Sequence, residues 1–262
     1  MSQPSEPILL REDDGGIARL TLNRPQARNA LSMALMEALD AQLVAIAADA
    51  AVKVVVIAGS GPAFCAGHDL REMRSRPGQA SAEETFKLCS RVMLRLVNLP
   101  KPVIAQVHGV ATAAGCQLVA SCDLAVAADT ARFATPGVNI GLFCSTPMVA
   151  LSRAVPRKHA MEMLLTGDMI DAPRAREIGL VNRVVAEADL ASATQSLAAQ
   201  IAAKSPLTLA IGKEAFYRQA DLPLADAYAY ASAVMTRNMM AHDAAEGIDA
   251  FLAKRPPVWT GT

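Results

Sequence analysis

The chain has 262 residues, 52% of them hydrophobic, enough to bury the core of one α/β domain with a helical extension. Lys+Arg and Asp+Glu both number 25, so the formal net charge is zero. That balance argues against nucleic acid as a partner, because such binders carry a clustered basic excess. The five cysteines include no Cys-x-x-Cys pair and the four histidines are scattered, so neither a disulfide framework nor a metal site is expected.

The N-terminal segment, Met1 to Glu12, is polar and holds Pro4 and Pro7, unlike a secretory signal or a basic transit peptide, and a cytoplasmic protein is expected. Ile17 to Leu22 reads as a strand ended by Asn23-Arg24-Pro25. Leu31, Leu35, Leu39 and Leu43 recur every fourth residue, which predicts a helix with Ser32 as its cap. Val52 to Ala58 is a β-branched run of the kind found in strands buried on both faces. Val103 to Val107 and Leu124 to Ala127 read the same way, with a short helix, Ala114 to Ser121, between them. The most apolar stretch, Val107 to Ala128, is interrupted by His108, Gln117 and Asp123, too polar for a membrane span. From Arg157 onward the pattern is mostly helical: 160–165, 173–178, 190–203, 207–219, 224–240 and 244–253. A strand-and-helix core followed by a helical tail is the coarse architecture.

Two segments combine glycine with small residues where a strand gives way to a helix: Phe64-Cys65-Ala66-Gly67-His68-Asp69-Leu70, and His108 to Leu118 (HGVATAAGCQL). A helix start leaves backbone N–H groups unpaired, and the helix dipole adds partial positive charge there. With no bulky side chains, such turns let a ligand oxygen approach the backbone closely. Two of them facing each other would make an oxyanion hole. The same residues also suit tight helix–strand packing, and spacing alone leaves both readings open.

Taken together, these segments resemble the paired signature of the enoyl-CoA hydratase/isomerase (crotonase) superfamily. The resemblance continues through Phe133-Ala134-Thr135-Pro136, Arg153-Ala154-Val155, the 160–167 and 175–181 segments, and the 246–255 tail, covering practically the whole chain in order. It implies an α/β crotonase (ClpP/crotonase-like) spiral of ββα units over 1–200 and a C-terminal helical trimerisation region over 201–262, assembled as a homotrimer or hexamer. It also implies an acyl-CoA thioester as ligand, with coenzyme A belonging to the substrate and no separate cofactor. The oxyanion donors would be the backbone N–H groups of His68 and Ala114. Ala66, His68, Leu70 and Arg71 would line the CoA, Arg28 would reach its phosphates, and Phe251 and Lys254 would lie against the adenine held by a neighbouring subunit.

The family's two catalytic glutamates are absent. Gln117 stands at the first position and Gly137 at the second, which is also where the isomerases carry their base. This pattern is similar to that of hydratase-domain-containing members whose glutamates are replaced. Efficient hydration is therefore not expected. Weak or different enolate-type lyase or isomerase chemistry is the first expectation, and a non-catalytic acyl-CoA-binding or scaffold protein the alternative. RNA binding, seen in one relative, relies on a lysine-rich helix that this chain lacks. Restoring both glutamates should raise hydration if the rest of the site is intact. His68, Cys144 and Asp69 are the side chains that could offer replacement chemistry; for Cys144 and Asp69 the alternatives are packing and a loop cap.

Overall fold

The computed structural model describes residues 6–262. Strands β1 (Leu9–Asp14) and β2 (Ile17–Leu22) form a hairpin closed by Gly15-Gly16, both at positive φ, the turn whose twist suits a two-residue loop. Helix α1 (Met33–Ala48) follows, capped by the Ser32 side chain, which accepts from the Leu35 N–H. Then come β3 (Val54–Gly59), the short α2 (Leu70–Ser75) and the long α3 (Gln79–Asn98). Next are β4 (Val103–Val107), β5 (Val110–Thr112), α4 (Ala114–Ser121), β6 (Leu124–Ala128) and β7 (Arg132–Ala134). The remainder of the core is α5 (Ser145–Ala154), α6 (Arg157–Thr166), β8 (Ile170–Asp171), α7 (Ala172–Glu177), β9 (Arg183–Val185) and α8 (Leu190–Ala202). Helices α9 (Pro206–Gln219), α10 (Leu224–Met239) and α11 (His242–Leu252) close the chain.

Six strands make one sheet in the order β1-β2-β3-β4-β6-β9, all parallel except β1, and β5-β7-β8 make a second, smaller one. Consecutive strands alternate between the sheets: β4 lies in the first and β5 in the second, β6 in the first and β7 in the second. Each such pair is followed by a helical segment, which produces the expected spiral of ββα units. Gly109, at φ 56°, makes the bend between β4 and β5.

β3 shows why its sequence is apolar without a break. Val55 and Ile57 face the main core, while Val54 and Val56 face a second apolar layer with Ile104 and Val126, covered by Leu190, Leu197 and Ala198 of α8. Among the elements that the sequence reading leaves unassigned is α3, whose buried positions Thr85, Leu88, Cys89, Val92, Met93 and Leu96 follow helical spacing. The strands β1, β5, β7, β8 and β9 and the helices α2 and α5 are likewise unassigned by it. No helix is long and apolar enough to cross a membrane among the described residues.

The last three helices bury little of themselves within the chain: α9 has no buried residue and α10 only Ala227. Helix α11 is tied to the start of α9 at a buried contact, the Ser205 hydroxyl donating to the Asp243 carboxylate at 2.6 Å, and α9 is tied to the core at a second polar node. The Lys213 ammonium donates to the carbonyls of Leu96 and Lys101 and to the Asp123 carboxylate at 2.7 Å, which also accepts from the Tyr217 hydroxyl and the Val103 N–H. Replacing Lys213→Met would leave Asp123 without its cation while keeping side-chain volume. Removing one partner of a buried pair leaves an uncompensated charge, so a loss of about 3 kcal/mol is expected in urea denaturation.

Candidate active site

The segment 64–69 is stitched between two neighbours. On one side Phe64 and Cys65 donate to the carbonyls of His108 and Val110, and the Thr112 N–H donates back to the Cys65 carbonyl at 3.0 Å. On the other, Ala66 donates to the Arg28 carbonyl, Leu31 to the Gly67 carbonyl and Asp69 to the Leu31 carbonyl. The His68 N–H donates to no backbone group among the described residues, and the same is true of Ala114, the first residue of α4. These are the two predicted donors, and they stand on abutting turns.

How closely the turns abut is set by glycine. A Cβ on Gly115 would lie 2.0 Å from the Cys65 carbonyl oxygen, and one on Gly67 would lie 2.9 Å from the Ala113 Cβ and 3.4 Å from the Ala114 nitrogen. Between them sits Ala113 at φ 50°, ψ −118°, a conformation that costs an L-residue on the order of 1–3 kcal/mol. It is held by a bond from its N–H to the Ala134 carbonyl. The strain turns the Ala113–Ala114 peptide at the start of the helix, where the Ala114 N–H is presented.

Asp69 caps α2, accepting from the Arg71 and Glu72 N–H groups, and pairs with Arg24 at 2.9 Å. Burial alone would raise its carboxyl, but the Arg24 guanidinium and the two backbone donors outweigh that and hold it below the usual range. Asp69 is thus engaged structurally, and Arg24, which also donates to the Ala30 carbonyl, was not singled out from sequence. The His68 ring is buried edge-on against Phe86, with both nitrogens unpartnered. Burial lowers its pKa, so the ring is neutral at pH 7. A groove of about 850 Å³ runs along α3 past Leu94 and Leu99, and Phe86 is the lining residue that packs on His68.

Gln117 is buried on α4, and its Oε1 faces the Cys89 thiol at 3.8 Å. At Gly137 a Cβ would lie 2.4 Å from the Leu142 carbonyl oxygen and 2.8 Å from the Cys144 sulfur, because the chain folds back and Leu142 donates to the Gly137 carbonyl. A side chain at position 137 therefore requires the 142–144 segment to shift, which bears on the expectation that restoring both glutamates raises hydration. Burial pushes the Cys144 thiol up, and those of Cys65 and Cys116 to about 12, so all three remain protonated. Arg28 is exposed in a left-handed turn, its carbonyl bonded to Ala66. Leu70 and Arg71 are exposed at the start of α2, and Phe251 is 82% exposed near Lys254 at the end of α11. The structure brings Arg28, Ala66, His68 and Ala114 into one region, and nothing in the single chain brings Phe251 or Lys254 to it.

A family model described as enoyl-CoA hydratase/isomerase matches residues 12–262. The chain belongs to that family. It is 49% identical over 254 residues to enoyl-CoA hydratase domain-containing protein 3, mitochondrial, of Xenopus laevis, covering 97% of this chain and 86% of that protein. The crystal structure of the human enoyl-CoA hydratase domain-containing protein 3 superposes with a TM-score of 0.94 at 48% identity, covering 97% of this chain and 100% of that one. An enoyl-CoA hydratase from Mycobacterium smegmatis gives a TM-score of 0.95 at 54% identity, covering 97% and 99%. The architecture is therefore the crotonase fold. The cytoplasmic expectation is corrected: the Xenopus protein and its mouse, rat, human and zebrafish counterparts, at 47–49% identity, are named as mitochondrial.

Two outcomes follow for the family's site in this chain. Ala113→Gly should raise the urea midpoint, stabilising by about 1 kcal/mol, because glycine adopts this φ without strain, offset in part by the lost methyl packing. Asp69, with its carboxyl depressed in the folded state, contributes stability that is present above the unfolded value of about 3.9 and lost as pH falls through the folded one. Urea midpoints measured from about pH 6 down to pH 3 should fall more steeply for the wild type than for Asp69→Asn, which starts lower.

Proposed function

We propose that the protein binds an acyl-CoA thioester with the carbonyl oxygen held by the His68 and Ala114 N–H groups, and acts on it as a weak hydratase or through other enolate-type chemistry. The observation that carries this is the pair of unpartnered N–H groups on two turns in backbone contact. Donors prepaid by the fold stabilise charge developing on the thioester oxygen without reorganising. In the same reading Ala66, Leu70 and Arg71 run beside the pantetheine, Arg28 meets the phosphates, and Phe251 and Lys254 come from a neighbouring copy. A trimer or dimer of trimers, built through residues 201–262, would cover Leu224, Tyr228 and Met240, each at least 70% exposed in the single chain.

Hydration is doubted on chemical grounds. Gln117 has no titrating proton and Gly137 has no side chain. General acid–base catalysis contributes about a hundred- to ten-thousand-fold per group, and both groups are missing. The same two residues favour the second reading, a non-catalytic acyl-CoA-binding or scaffold protein.

Purified protein mixed with crotonyl-CoA should leave the enoyl absorbance nearly unchanged, while calorimetry with butyryl-CoA should give saturable binding. Gly115→Ala should abolish that binding and destabilise the fold by about 3 kcal/mol, since an added methyl must push the two turns apart. Rapid loss of enoyl absorbance would contradict the first part, and undiminished binding by a folded Gly115→Ala protein would contradict the second.

A further inference from the structure

Both ring nitrogens of His68 are shut off from solvent and have no hydrogen-bond partner among the described residues. Buried polar groups are nearly always paired, so an imidazole with neither nitrogen satisfied is a costly arrangement that asks for a reason. Phe86 of α3 covers the ring edge-on, with the ring centroids 5.6 Å apart. The carbonyl of Leu31, which pairs with His68 in an isolated parallel bridge, is already taken by the Asp69 N–H.

The charged groups around the ring are spent elsewhere. Asp69 is held by Arg24 and by the first turn of α2, and the Glu72 carboxylate of α2 accepts from the Met33 N–H. On α3, Glu83 pairs with Lys87, and burial keeps the proton on Cys89 as it does on Cys65. Arg28 is exposed in its turn. Burial therefore dominates the titration of the ring, opposed more weakly by the Leu31 carbonyl, and the neutral form is the one that fits. A proton would place an unpaired charge in this pocket, and the ring can keep it only by reaching water. The ring hangs from the Cα whose N–H is one of the two proposed oxyanion donors. Bonds to Leu31 fix the backbone on either side of that residue, and the turn meets α4 through Gly67 with no slack. A ring that leaves its pocket disturbs the turn that presents the donor.

We propose that His68 is a proton-sensitive latch on the acyl site, an inference that rests on the acyl-CoA reading above: the neutral ring, packed under Phe86, locks the donor turn, and the charged ring leaves and carries the donor out of line. A histidine held below its free value favours the latched form above about pH 6.5, and that advantage is lost as pH falls through the folded value. Binding needs the latched form, so affinity follows its population, at up to about tenfold per pH unit for one proton.

The test is calorimetric titration of the intact protein with butyryl-CoA at pH 7.5 and at pH 5, beside His68→Phe, whose ring takes no proton. Phosphate groups of the ligand titrate near pH 6 in every sample, so the quantity compared is the ratio of the two affinities within each protein. From pH 7.5 to pH 5 the wild type should lose about tenfold more affinity than His68→Phe loses. Phe86→Glu sets a carboxylate beside the ring at a position 37% exposed, where it can pair the imidazolium in place, and should cut that excess loss to about threefold. Equal losses in wild type and His68→Phe would overturn the latch. Should His68→Phe fail to fold, a Phe86→Glu protein as acid-sensitive as the wild type would do the same. Failure of the wild type to bind at pH 7.5 would instead remove the acyl-CoA reading, and the latch with it.

Discussion

The carbonyl oxygen of Cys65 occupies the space where a side chain at position 115 would begin, and the geometry of the site descends from that contact. Backbone against backbone is the closest approach two segments can make, and here it joins the 64–69 loop to the start of α4 with nothing between. Gly67 permits the same on the other side. The hydrogen bonds from Thr112 and Cys65 across the seam keep the two segments in register. Arg24 and Asp69 brace the loop from behind, joining it to the 24–31 turn. Steric exclusion and a few charge-assisted bonds do the positioning, and what they position on the two turns is main chain.

Along that seam Asp69 is paired with Arg24, and the other side chains packed there are neutral. The Gln117 amide, the protonated thiols and the neutral His68 ring are all uncharged at pH 7. Hydrogen-bond donors in such surroundings favour negative charge on a bound molecule, because little water competes with them. Neither Gln117 nor Gly137 offers a side chain that takes a proton at neutral pH.

Much of the fold was legible in the residues. The β-branched runs gave β2, β3, β4 and β6 closely, and the start and end of α4 were readable from its small residues and the Cys122-Asp123 that follow. The cap at Ser32 was readable because a hydroxyl before an apolar stripe has a specific partner, the N–H three residues on. Strands of two or three residues such as β8 and β9 leave no alternating pattern to detect. Helix α3 did have the spacing of a helix, but its first turns are polar and apolar runs guided the reading. In the site, the glycine patterns marked the two turns and the family resemblance named His68 and Ala114 on them, whereas the strain at Ala113 and the Cys89–Gln117 contact belong to φ angles and to residues 28 positions apart. Local sequence carries no mark of either.

The fold-back after Gly137 has a consequence for redesign. A Cβ at 137 would meet the Leu142 carbonyl oxygen at 2.4 Å and the Cys144 sulfur at 2.8 Å, so a side chain there requires the segment folded over it to move. Exchanging that residue and reshaping the loop are one problem in this chain, because the backbone that would have to yield is held by the Leu142 N–H bond to the Gly137 carbonyl.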